Sequence, residues 1–469
     1  MHIKRTGEYL KRLVRSLRHD IDLPMLRPLP NPFRALLKAL HLFNEGKWEE
    51  KEILCTSGNY NRSLERIRDK YSRAQRIKVM IIATYAAKWK VQSLYNALES
   101  DPMFKPLVGI SCMYRYDGKT PRELFEDAVK LRIYLEEKGC RCQYICDPLK
   151  AKFFEIDPGI DVVVYTESWY TVRKHHPITV SNHALTFYIP YFVPNYVDAR
   201  LDCGATIHRC YWRYVVLNEG IANLYRATLT GKPKAGEFVA LGHPMLDGLH
   251  LSKRCLTSEK RKKVVIYAPH WTFEHPRHAA LIAISTFTKS GKPILDYAKS
   301  HKEFHWIFKP HPHLRQDLID TGMMSKEEVS AYYDAWRQLG QVYEGGDYLS
   351  LFKESCAMIT DCGSFLTEYG ASGNPIIHLI SPRNNMVPPP ILADVYNTYY
   401  KVHNLEEMYA QFKLVLEDGQ DPMKEQRLAA LERASLCNVY SAGEILKYMK
   451  ECFKGRVDER TAAKERNSI

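Results

Sequence analysis

Val264-Val265-Ile266-Tyr267-Ala268-Pro269-His270-Trp271 is the stretch that decides the fold. Its start is apolar and rich in β-branched residues, which reads as a short buried strand. The strand runs straight into proline, histidine and tryptophan. The same plan returns twice downstream. Phe304-His305-Trp306-Ile307-Phe308 leads into Lys309-Pro310-His311-Pro312-His313, and Ala357-Met358-Ile359 leads into Thr360-Asp361-Cys362-Gly363-Ser364. Strands that end this way set polar groups along one edge of a parallel sheet. That edge is where open α/β folds bind their ligands.

Working outward, further strands are expected at 305–308, 341–343, 357–359 and 376–379, separated by helical stretches. An earlier set of strands is expected at 77–83, 107–113, 142–146, 162–166, 185–191, 214–217 and 239–241. Helices are expected through Leu94 and Leu98 and over 123–137. Strands alternating with helices pair in parallel through right-handed crossovers. Residues 249–263 are polar and basic and read as a linker between the two sets. Beyond Leu405 the pattern is helical to about Phe453. The expected organisation is a helical basic extension over 1–70, a Rossmann-like domain over 71–250, a second over 251–405, C-terminal helices over 406–457 that pack back on the domains, and a flexible tail over 458–469. No G-x-G-x-x-G follows any strand, which argues against a dinucleotide oxidoreductase.

Composition narrows the partners. The 469 residues exceed one ordinary core, and 45% of them are hydrophobic, as in globular proteins. Sixty-seven basic against fifty-four acidic side chains leave a formal charge of +13, which favours anionic partners. The twelve cysteines contain no C-x-x-C pair, so reduced thiols of an intracellular protein are expected, not a zinc site. The one D-x-D, Asp20-Ile21-Asp22, lies far from any strand end, and no metal is expected. No run approaches the ~20 apolar residues of a spanning helix. The first residues carry no signal-peptide pattern. Leu10, Leu13, Val14 and Leu17 recur at helical spacing among Lys4, Arg5, Lys11, Arg12, Arg15 and Arg18, and a second apolar stretch runs from Phe33 to Phe43. Such a segment either lies on an anionic membrane surface or packs on the body of the protein.

The chemistry should sit on the three late loops. Prolines flank His311 and remove backbone donors, so side chains must do the binding there. Lys309 brings a fixed charge, and His311 can donate to a phosphate oxygen or give a proton to a leaving phosphate. His270 and Trp271 close the preceding strand, and Trp271 offers a stacking face. Ser364 is the expected N-cap of a helix whose N–H groups would face an anion, and Gly363 admits a close approach. Thr360 and Asp361 line the same turn. Glu368, further along that helix, is placed to accept from ribose hydroxyls. Gly346 and Asp347 follow a strand and offer a turn against a ligand. Gly242, His243 and Pro244 make a sharp exit at the domain junction. In the first domain Glu167, His175, His176 and His183 are candidate bases for an acceptor hydroxyl.

These segments resemble the CDP-glycerol glycerophosphotransferases, the teichoic-acid polymerase and primase type. Tyr267-Ala268-Pro269, Gly242-His243-Pro244-Met245-Leu246-Asp247, Lys309-Pro310-His311-Pro312, and Ile359 through Ser364 with Glu368 carry the resemblance, in the family's order. It implies the two-Rossmann-domain fold called GT-B and a CDP-linked donor as substrate, with no cofactor. It also implies transfer of glycerol phosphate to a growing polyol-phosphate or glycan acceptor, with release of CMP, at the inner face of a membrane. His311, His183 and Glu167 would be the catalytic candidates. His270, Trp271, Lys309, Gly346, Asp347, Thr360, Asp361, Gly363, Ser364 and Glu368 would hold the donor. Two departures stand out. Cys362 and Gly363 replace a Tyr and a Ser of the family. The family's His-Gly-Thr motif has no match, and His183 stands in a comparable region. A nucleotide-sugar glycosyltransferase of the same fold is the first rival. A nucleic-acid binder would need a basic stripe interleaved with aromatics, and the densest basic run, residues 4–18, has no aromatic platform. A non-catalytic scaffold on a membrane is the third.

Overall fold

The computed structural model describes residues 31–112, 120–150, 152–168, 172–195, 203–249, 262–278, 283–345, 348–384, 386–437 and 439–456, with side chains from residue 47 onward. The expectations on residues 1–30, on Gly346 and Asp347, on most of the linker and on the tail fall outside them.

The protein is an α/β chain with two parallel sheets, in a Rossmann-like, GT-B-type arrangement of two units. The first sheet contains β1 (Ile77–Ala83), β2 (Phe104–Ile110), β3 (Cys142–Tyr144), β4 (Val162–Tyr165), β5 (Leu185–Tyr188), β6 (Arg213–Val216) and β7 (Glu237–Ala240), ordered 3-2-1-4-5-6-7. The second contains β8 (Val264–Ala268), β9 (His305–Phe308), β10 (Gly340–Val342), β11 (Ser355–Thr360), β12 (Ile376–Leu379) and β13 (Tyr400–Val402), ordered 10-9-8-11-12-13. Both repeat the doubly wound plan, in which the chain starts at the centre and reverses direction once. The reversal lies between β1 and β4 in the first sheet and between β8 and β11 in the second. In folds of this plan ligands bind past the strand carboxyl ends at such a reversal.

The central strands are buried on both faces, as parallel strands under helices must be. All four residues of β4 and of β5 are buried, as are the last four of β8. The second core is aromatic. Tyr267, Phe308, Trp306, Trp336, Tyr332 and Tyr333 fill it, with Phe308 and Trp336 stacked at 5.2 Å.

The chain is not cut simply into two halves. The first unit holds residues 1–191, 199–244 and 441–469, and the second holds 192–198 and 245–440. The early helix and the last one therefore belong to the same body. Asn31–Ser72 is one continuous helix. Its Ile53, Tyr60, Leu64 and Ile67 are buried in the first core, and the Tyr60 hydroxyl bonds Thr186 and donates to the Cys210 carbonyl at 2.7 Å. The final helix, Ser441–Phe453, adds Ile445, Met449, Cys452 and Phe453 to that core. No helix among the described residues is long and apolar enough to cross a membrane.

Candidate functional site

The second unit gathers most of the expected donor residues. β8 ends at Ala268, β9 at Phe308 and β11 at Thr360, with Tyr267 in register with both Phe308 and Ile359. Hydrogen bonding between the β8 and β9 segments continues past the strands, where Lys309 N–H donates to Tyr267 at 2.8 Å and His311 N–H to Pro269 at 3.0 Å. The two basic loops are therefore fixed side by side. The His270 and His311 rings lie 4.9 Å apart, and Trp271 packs 5.9 Å from His311 and 5.4 Å from His313. Trp271 thus has histidine neighbours on several sides, including His278 edge-on at 5.3 Å.

Both imidazoles have defined hydrogen bonds. Nδ1 of His270 accepts the Thr272 N–H at 3.2 Å and lies 2.9 Å from the Thr272 hydroxyl. Nδ1 of His311 accepts the His313 N–H at 3.2 Å. Burial, with neighbouring His313 and His278, pushes His270 down to about 3. Burial, then His270, His313 and Lys309, pushes His311 down to about 2. Both rings are neutral at physiological pH. His278 sits 2.6 Å from the Asp317 carboxylate, in ion-pair range but outside hydrogen-bond alignment, while its Nδ1 bonds the Phe273 carbonyl at 2.8 Å.

Lys309 is 6% exposed, and its ammonium lies over three rings: Tyr348 at 4.5 Å, Phe365 at 5.0 Å and Tyr343 at 5.8 Å. Ring quadrupoles attract a cation placed over their faces. The Tyr348 hydroxyl in turn donates to Glu368. Sequence reading missed this enclosure. Tyr348 was visible only as an aromatic beyond a Gly-Gly turn.

Two expected ligand residues serve the scaffold instead. The Asp361 carboxylate is fully buried. Its Oδ1 accepts His270 N–H at 2.6 Å, and its Oδ2 accepts Thr286 N–H at 2.6 Å and the Thr286 hydroxyl at 3.0 Å. Burial pushes Asp361 up to about 6 against the opposing pull of those bonds. Thr360 donates to the Ala268 carbonyl at 2.6 Å and accepts Cys362 N–H at 2.9 Å. The helix after them is short. It spans Gly363–Glu368, with Cys362 rather than Ser364 at the N-cap and no side-chain cap. Six residues give a weak macrodipole, so the helix-end anion site expected there is only a pair of N–H groups at Gly363 and Ser364. Glu368 is buried and engaged by Tyr348, so a ribose would have to share it.

The first unit separates its candidates. Glu167 follows β4 at the reversal of the first sheet. It accepts the Thr84 hydroxyl at 2.7 Å and pairs with Lys88. His183 precedes β5, so in a parallel sheet it lies at the opposite edge. A strand of four residues at about 3.3 Å each separates the two ends. Its carbonyl is held by Arg66, its Nε2 is buried with no partner among the described residues, and burial lowers its pKa. His183 and Glu167, two of the candidate bases, therefore stand at opposite edges of the first sheet. His175 is bound to the Phe154 carbonyl at 2.8 Å and His176 to Glu49 at 2.8 Å, both buried. The structure adds an unforeseen pair: Ser168 Oγ lies 2.7 Å from His208 Nε2, with Tyr188 stacked on His208. The forty residues between them hide this contact from any local pattern.

Gly242 has φ +80°, a left-handed conformation that glycine adopts without strain. His243 is buried and bonds the Pro190 carbonyl at 2.6 Å, and burial pushes it down to about 4. The Pro244 carbonyl accepts from Ser93 at 2.9 Å. These residues hold the chain beside the points where it leaves the first unit. Among the described residues no group of three or more His, Cys, Asp or Glu is placed to hold a metal ion.

Comparison with known proteins places the fold. No family model matches the chain, and no curated protein does. Solved structures do match. A putative UDP-N-acetylglucosamine 2-epimerase from Listeria monocytogenes aligns at TM-score 0.51 and 12% identity, over 81% of this chain and 98% of that one. UDP-GlcNAc 2-epimerase from Neisseria meningitidis, bound to UDP-GlcNAc, aligns at TM-score 0.51 and 13% identity, over 80% and 100%. The wall teichoic acid polymerase TagF, soaked with CDPG, aligns at TM-score 0.50 and 12% identity, over 86% and 99%. At such identities the likeness shows a shared GT-B-type fold.

Proposed function

We propose that the second unit binds a CDP-linked donor and that the protein transfers glycerol phosphate, or a related polyol phosphate, to a hydroxyl of a cell-surface glycan or teichoic-acid-like polymer, with release of CMP. The observation that carries this reading is the placing of His270, His311 and the ring-enclosed Lys309 on the adjoining loops past the carboxyl ends of β8 and β9. Two imidazole donors and one buried ammonium match a diphosphate, whose charge grows on the leaving phosphate as the bond breaks. The acceptor hydroxyl attacks the phosphorus next to glycerol. Its proton goes to a base, for which Glu167 is the candidate. No metal or cofactor enters this scheme, and nucleic acid is not a partner. The work would be done on the inner face of a membrane, with the basic amino-terminal segment as the contact. TagF with CDPG and the epimerase with UDP-GlcNAc are proteins of this fold with nucleotide-linked ligands, which supports a nucleotide donor here.

The second reading is a glycosyltransfer from a nucleotide sugar. The sequence favours it at one point: the His-Gly-Thr motif of the glycerophosphotransferases is absent. One experiment separates the two. The full-length protein is incubated with CDP-glycerol, CDP-ribitol, UDP-sugars and GDP-sugars, and the released nucleotide is identified. CMP from a CDP-polyol supports the proposal. UDP or GDP from a sugar donor, with no CMP, replaces it by the second reading.

A further inference from the structure

We propose that His270 and His311 act as a pair of neutral hydrogen-bond donors, both through Nε2–H, on the pyrophosphate of the donor, and that neither ring is a general acid. The proposal rests on the donor-site reading above and fixes how that site works.

A backbone N–H can only donate. Nδ1 of His270 receives the Thr272 N–H, and Nδ1 of His311 receives the His313 N–H. Each Nδ1 is therefore an acceptor, and each neutral ring carries its proton on Nε2. No described residue occupies either Nε2. The residue two places ahead supplies the lock in both loops, so the two rings, 4.9 Å apart, are set in the same tautomer by the same local device.

A ring held this way has no lone pair left for a second proton. Protonating Nδ1 would turn it against the N–H that now binds it. The surroundings add to this. The groups facing the two rings are His313, His278, Trp271 and Lys309, with Lys309 cationic. The nearest carboxylates are engaged elsewhere: Asp361 by the His270 and Thr286 main chain, and Asp317 beside His278. The shifts of both rings to low pKa agree with the geometry.

A neutral imidazole that gave up its Nε2 proton would become imidazolate, which is not accessible at physiological pH. His311 therefore stabilises charge without transferring a proton. The reaction still balances. The acceptor oxygen forms its bond to phosphorus and loses its proton to a base, and the bridging P–O bond breaks with its electron pair leaving on CMP. A phosphate leaving group departs as an anion and needs no proton. Neutral donors that are fixed before binding also need no reorganisation as charge develops.

The test is nitrogen-15 NMR of histidine-labelled full-length protein between pH 6 and 8, with and without CDP, the two rings being assigned from H270Q and H311Q. The expected result is an Nε2-protonated neutral pattern for both rings that persists when CDP shifts their signals. In parallel, H311Q, whose amide N–H stands near the Nε2 position, should keep CDP affinity within about threefold, while His311→Ala should lose roughly tenfold or more. An imidazolium pattern in the CDP-bound protein, or equal losses in the two variants with unchanged melting temperatures, overturns the neutral-donor proposal and leaves the donor-site reading intact. If CDP changes neither ring at any concentration, both fall.

Discussion

Asp361 holds His270 by its main chain, not by its ring: the carboxylate Oδ1 accepts the His270 N–H at 2.6 Å. Its other oxygen takes Thr286 N–H and hydroxyl at the start of the helix Phe287–Ser300, where a carboxylate also meets the positive end of the helix dipole. One buried side chain thus ties the ends of β11 and β8 to a helix end. Asp361→Ala leaves two backbone donors without their partner, at about 1–3 kcal/mol each. The expected outcome is a melting temperature several degrees lower, and a kcat that falls with the displacement of His270. An unchanged melting curve would reject the positioning role.

Lys309 separates charge from packing. Lys309→Met keeps an unbranched chain among Tyr343, Tyr348 and Phe365 but removes the cation. CDP affinity should fall roughly tenfold or more, since hydrogen bonds to charged groups are worth about 1.5–3 kcal/mol. The melting temperature should hardly change. If Lys309→Met binds CDP as the natural protein does, the enclosed ammonium is a structural plug.

The buried imidazoles set the acid response. Burial pushes His208 down to about 3, and His243 and His378 to about 4. Unfolded, each would take a proton near 6.5. The unfolded chain then binds more protons as pH falls below 6.5, so folded stability is lost on acidification, by up to about 1.4 kcal/mol per pH unit for each ring until its folded value is reached. Asp361 has the opposite sign. Its folded value of about 6 lies above the ordinary 3.8, so between these values the folded state keeps a proton that the unfolded one has lost, and stability rises as pH falls. Three rings outweigh one carboxyl. Melting temperature should fall steadily from pH 7 to pH 5, and a flat or rising profile would contradict the burial of these groups.

The two first-unit candidates should part company. Glu167 stands at the reversal of the sheet with Lys88 and Thr84, and His183 at the far edge under Arg66. Glu167→Gln should lower turnover roughly a hundredfold if it is the base. His183→Ala should leave turnover within about threefold, as expected of a residue remote from the chemistry. The reverse pattern would move the acceptor site to the other edge.

The central strands were legible because their apolar runs are bounded sharply. The expected ends at Ile77–Ala83, Val264–Ala268, His305–Phe308 and Ile376–Leu379 are the observed ones. Tyr400–Val402 was not, since Lys401 leaves a three-residue alternation too short to register. That the loops after β8, β9 and β11 share one edge was legible, because parallel strands deliver their carboxyl ends to the same side. What those residues do there was not. That Asp361 is spent on the main chain, and that Lys309 lies among aromatic rings, depends on burial and on contacts far apart in sequence. The same holds for the last helix. Its pattern marked it as helical and said nothing of which unit would cover it.

That last assignment has its own consequence. Ile445, Met449, Cys452 and Phe453 lie in the first core with Ile53, Tyr60, Leu64 and Ile67 from the other end of the chain. Lys450 pairs with Asp101 at 2.5 Å, and Arg213 donates to Tyr448 at 2.6 Å, so polar contacts fix the helix as well. Truncating a buried aliphatic side chain to alanine costs about 2–5 kcal/mol. Ile445→Ala and Met449→Ala should therefore each lower the melting temperature by several degrees, and the two together by close to the sum or more, being neighbours on one helix face. CDP should still protect both variants against thermal unfolding of the second unit, because the final helix packs in the first core and the donor residues belong to the second unit. If the alanine variants melt like the natural chain, the final helix is an appendage, and the grouping of both chain ends in the first unit is wrong.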